Sequence, residues 1–160
     1  MRIVVLIFVS FLMLPTSVLA TKEIHQHVLL ELDENTPVPQ ISLNLVRDAI
    51  DGVNLHIKTN RYILNAPHSP TPESEYISGH AHLFINAKKV QRVYGADVHL
   101  PAALFRKGVN QIAISLNSHQ HENYTKNGQN IVGSVYIDLN KPELVIHDFS
   151  SQPITEHKHH

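Results

Sequence analysis

"VNQIAISLNS", residues 109–118, decides how this chain is read. Ile112, Ile114 and Leu116 fall on alternate positions, the two-residue period that turns one face of a strand into a core and the other away from it. The same pattern recurs on both sides. Downstream, Asn127 and Gly128 signal a tight turn, and "IVGSVYIDL" then alternates Ile131, Gly133, Val135, Ile137 and Leu139 toward the core. Upstream, Val53, Leu55 and Ile57 alternate with Asn54, His56 and Lys58, and "GHAHLFIN", residues 79–86, puts Ala81, Leu83 and Ile85 on one face. A turn near Ala87 and Lys88 leads into a short strand, "KVQRVYG".

Between these runs lie breakers. "DENTPVPQ" carries two prolines and "NAPHSPTPESEY" three, so both are loops. "EIHQHVLLEL" could open a strand, the first half of "ISLNLVRDAIDGVNLHIKTNRYIL" is ambiguous, and a short helix stays open at 46–50 or 102–105. Many short strands with Pro, Gly and Asn turns predict an all-β chain, an antiparallel β-sandwich.

The first twenty residues are set apart. Arg2, the apolar run "IVVLIFVSFLML" and the small-residue ending "SVLA" read as a cleaved N-terminal signal peptide, residues 1–20. The expected organisation is then a β-sandwich domain at 21–149 and a polar, His-rich tail at 150–160, in a periplasmic or secreted protein with no membrane anchor. The chain has no Cys, and its two methionines, Met1 and Met13, lie in the leader. Any metal site must therefore use imidazole, carboxylate, amide or backbone groups.

Removing the leader leaves 12 basic against 14 acidic residues, and no basic stripe that would suit nucleic acid. Histidine stands out: there are 13, all beyond residue 20. In an immunoglobulin-like strand order, residues 79–86 and 109–118 are antiparallel neighbours in one sheet. Side-chain parity then sends His80 and His82 to the face opposite Ala81 and Leu83. It sends Asn117, His119 and His121 away from Ile112, Ile114 and Leu116, provided the extended geometry persists. Both His-x-His pairs would meet at one rim, on the outer side of the sheet. Imidazole sets of this kind suit Cu(II) or Zn.

Other histidines are weaker candidates. His68, in the Pro-rich loop ahead of His80, is the best fifth ligand; His25 and His27 form a third pair that folds over the rim or stays mobile. No nucleophile elbow, zinc-protease helix or Cys ligand is present, so an enzyme is not expected.

"GHAHLFINAKKVQRVYG", "HLP" and "GVNQIAISLNSHQHENYTKNGQNIVGSVYIDL" together resemble a group of small exported bacterial β-sandwich proteins with a GHxHLYxNG stretch. The matching positions are Gly79, His80, His82, Leu83, Asn86, Tyr94, Gly95, Leu116, Asn117, His121 and Tyr124. Ala87 stands where the group tends to have Gly. The resemblance implies an immunoglobulin-like or cupredoxin-like sandwich and suggests a link to metal handling. The expected function is non-enzymatic binding of Cu(II) or Zn for buffering, delivery or tolerance, with a divalent metal ion and a delivery protein as partners. The alternative is an immunoglobulin-like adhesion or assembly module that binds a protein or glycan, its histidines incidental.

Overall fold

The computed structural model describes residues 28–71 and 73–151. The expected signal peptide at 1–20, His25 and His27, and residues 152–160 of the expected tail lie outside those residues. The strands are β1 (Leu29–Glu31), β2 (Gln40–Arg47), β3 (Val53–Asn60), β4 (Tyr62–Leu64), β5 (Ile77–Ile85), β6 (Lys88–Val93), β7 (Asp97–Leu100), β8 (Asn110–Asn117), β9 (Asn123–Lys126), β10 (Gln129–Asn130), β11 (Val132–Ile137) and β12 (Val145–Ser151). One 3-10 turn, Ala102–Leu104, follows Pro101, at one of the two places left open for a helix. The other, residues 46–50, is the end of β2 and the bend after it.

Two sheets pack as a β-sandwich. The larger is organised about β8, which pairs antiparallel with β5 on one edge and β11 on the other. Beyond them lie β6, against β5, and β12, against β11. The smaller sheet runs β2-β3-β7. Alternation explains the core between them: Ile112, Ile114 and Leu116 of β8, Ala81 and Leu83 of β5 and Val53 of β3 are all 0 % exposed, and Leu55, Ile57, Val135 and Ile137 are buried with them. The ambiguous segment is thus a strand, β2, whose Ile41 and Leu45 join the core. The segment "VIHDFSS", where no strand was anticipated, is β12, which extends two residues into the stretch expected to be tail.

Two pairings depart from the antiparallel expectation. β1 runs parallel to β9, and β4 runs parallel to β5. Parallel neighbours need a long crossover instead of a hairpin, and the Pro-rich loop at 65–76 provides one between β4 and β5.

That parallel pair has a purpose visible in the packing. It brings the Tyr62 hydroxyl 2.8 Å from the His80 carbonyl oxygen and 2.9 Å from that of Asn117, on the two facing strands. Burial, reinforced by Tyr124, pushes this hydroxyl above the ordinary phenol range, so it remains a proton donor. Gly79 makes the approach possible, since a Cβ there would stand 2.0 Å from the Asn117 carbonyl oxygen and 2.7 Å from the Tyr62 hydroxyl. Backbone cannot move aside as a flexible side chain would. Gly79→Ala should therefore destabilise the fold by at least about 2 kcal/mol, read as a lower urea midpoint with an unchanged denaturant slope. An unchanged midpoint would show that the two strands are not held at this separation.

Candidate metal centre

His80 and His82 lie on β5 opposite Asn117 and Ser115 of β8, so all four side chains share the face turned away from the core. That face is covered. His80 is 1 % exposed and His82 0 %, and Ser115 and Asn117 are buried as well. This part of the sheet is the outer side, as expected, and the turn that follows β8 caps it. The buried polar groups satisfy one another: the Ser115 hydroxyl donates to Asn117 Oδ1 at 2.9 Å, and the Asn117 amide donates to Asn123 Oδ1.

The turn also corrects how His119 and His121 are placed. Extended geometry stops at Asn117, so strand parity does not govern them. The Ser118 N–H donates to the Glu122 carbonyl at 2.9 Å, and the His121 N–H to the Ser118 carbonyl at 3.0 Å. The Ser118 hydroxyl donates to Glu122 Oε2 at 2.9 Å and accepts from the N–H groups of Gln120 and Glu122. His121 takes φ 73°, in the left-handed region. Closed in this way, the chain folds back over the sheet and lays both imidazoles against β5.

The outcome is a cluster of histidines. His80, His82 and His121 each offer a ring nitrogen such that all three atoms lie within 4.8 Å of one another. His80 and His82 are the tightest pair, with their Nε2 atoms 2.9 Å apart. The His121 ring lies 4.8 Å from that of His80 and 5.7 Å from that of His82, centroid to centroid. His119 stacks on His80 at 6.2 Å and stands outside the group of three. His68 is exposed, in the Ala66–Ser69 turn of the Pro-rich loop, and is not part of the group. Tyr94 closes another side, its ring 5.8 Å from His80.

These three residues can hold a metal ion. Two nitrogens bound at about 2.0–2.1 Å in a tetrahedral arrangement stand roughly 3.3–3.4 Å apart. The separations found here bracket that spacing. The buried Nδ1 atoms of His80 and of His119 have no hydrogen-bond partner. Comparisons with protein-family models, with curated proteins and with solved structures return no match for this chain, so the site rests on its own geometry.

Electrostatics keep His80 in its ligand form. Burial, then the neighbouring His121, Arg92, His119 and Lys89, pull the His80 imidazole down to about 4, so it stays neutral well below its usual range. Lys89, whose Nζ lies 3.1 Å from His82 Nε2, is also lowered, by burial and then by Arg92.

Two predictions follow from this geometry. Because unfolding frees His80 to titrate near 6.5, its contribution to stability is complete above that value and is lost as pH falls toward about 4. Urea midpoints measured between pH 7.5 and 4 should fall across that window, and His80→Asn should flatten the fall; an equal slope in both proteins would refute the assignment. The second concerns the turn. A left-handed conformation suits Asn better than His, so His121→Asn should keep stability within about 0.5 kcal/mol of the parent or raise it. A drop of several degrees in Tm would mean that the imidazole holds the turn together.

Proposed function

We propose that this chain is an exported, non-enzymatic metal-binding protein that takes Cu(II) or Zn for buffering, delivery or tolerance. One observation carries the reading: three imidazole nitrogens within 4.8 Å of one another, two of them on fully buried side chains of one strand. A buried group of bases with no acid in it is a poor structural element and a good ligand set. Without Cys or Met, the donors are suited to Cu(II) and Zn and not to a dedicated Cu(I) carrier. The leader-like first twenty residues support export to the periplasm or beyond. The likeness of residues 76–139 to small exported β-sandwich proteins supports an immunoglobulin-like or cupredoxin-like affiliation for the two-sheet fold. Because the ligands must be neutral to bind, acidification releases the ion.

Calorimetric titration of Cu(II) and Zn(II) tests the reading, using the full chain with His157, His159 and His160 replaced by Ala so that tail binding does not intrude. One ion per chain is expected. His82→Ala and His121→Ala should each weaken it by at least about 100-fold, since even groups that only support a ligand are worth 10- to 100-fold. His119→Ala should weaken it less than either. Weak, multiple binding that survives both ligand substitutions would make the histidines surface chemistry and turn attention to a protein or glycan partner.

A further inference from the structure

The surroundings of the three histidines are as informative as the histidines themselves. Arg92 of β6 stands directly across from His82 in the strand register. Lys89 of the same strand reaches His82 Nε2 at 3.1 Å. Glu122, the acid in the covering turn, accepts from the Ser118 hydroxyl and is not among the grouped donors. The ligand set is thus three imidazoles, which bind a metal only in their neutral form, with two cationic side chains beside it. A dication seated there keeps its full charge and meets further positive charge at close range. Most protein sites for such ions neutralise them with thiolate or carboxylate ligands; this one brings its own cations.

The arrangement makes sense if an anion completes the site. We propose that the His80–His82–His121 centre takes its metal together with a small oxyanion or carboxylate, bound at the coordination position that three ligands leave open and held from the side by Lys89 and Arg92. The inference rests on the metal-binding reading above. Three protein ligands with a fourth position for an exogenous group is an arrangement that metal sites adopt. Lys and Arg are the side chains that recognise carboxylate and phosphate oxygens. Both are exposed at the outer edge of β6, so an anion reaches them from solvent without any rearrangement of the sheet. Lys89 then gains a partner to replace the lone pair of His82 that the metal takes. Metal and anion should therefore strengthen each other by the same factor, as linkage requires.

Formate is a suitable probe, being a simple carboxylate that leaves Cu(II) and Zn(II) in solution. Metal affinity of the full chain lacking the three tail histidines would be measured in perchlorate and in formate at equal ionic strength. Binding about tenfold tighter or more in formate is expected, with formate binding the metal-free chain correspondingly more weakly. In Lys89→Ala/Arg92→Ala, whose positions are exposed, the ratio of affinities in formate and in perchlorate should fall to about one, whatever the affinity in perchlorate alone. One ion bound with equal affinity in both buffers overturns the anion site and leaves the metal site standing. Tightening that survives in the double variant overturns the role of Lys89 and Arg92. Failure to bind metal in either buffer overturns both readings together.

Discussion

The fold depends on how closely β5 and β8 approach at Gly79 and Asn117. Everything on the outer face is built over that contact. A side chain at position 79 would separate the strands. The Tyr62 hydroxyl, pinned within reach of the His80 and Asn117 carbonyls, sits on the core side of the same junction. Tyr124 packs edge-on against Tyr62 at 6.0 Å and donates to the Ser78 carbonyl, extending the support along β5. With the strands fixed at this spacing, His80 and His82 cannot slide relative to Asn117, and the turn that begins one residue later closes over them from a defined point. Position along the sheet is thus converted into position within the cluster.

Much of this architecture was legible. The two-residue alternation of Ile112, Ile114 and Leu116 identified the central strand, and all three are completely buried. The neighbour relation between residues 79–86 and 109–118 followed from a sandwich strand order, and the register places His80 opposite Asn117. What escaped has physical causes. β2 alternates Ile41, Leu43 and Leu45 inward, but an exposed apolar Val46 and an Arg47 at the next inward position blur the end of its period. β12 is exposed from Ile146 to Ser150, with Ile146 and Phe149 scattered among polar residues, so no buried apolar alternation marks it. The parallel pairings of β1 and β4 involve three-residue strands, too short to carry any period.

The site was legible in its first half and less so in its second. Alternation within a strand places His80 and His82 reliably, because the backbone is extended there. It does not predict that the chain turns at Ser118 or that His121 takes a left-handed conformation, since neither leaves a periodic trace. One signal was available in the residue types. Outward positions on β8 hold Ser115 and Asn117, short groups able to bond to each other, and not the Lys and Glu of a solvated face. Such a run of small polar residues on the outer side of a strand marks a surface that something covers.

The two kinds of backbone that present the histidines differ in how they can yield. His80 and His82 sit on a strand paired on both edges, whereas His121 belongs to a short loop closed largely by one serine. Opening that loop withdraws one ligand and leaves the other two in place. A cation held among the three would therefore leave in stages, its residence time set by the breathing of a surface turn and not by unfolding of a sheet. An ion held there can in this way exchange with solvent while the sheet that carries His80 and His82 stays intact.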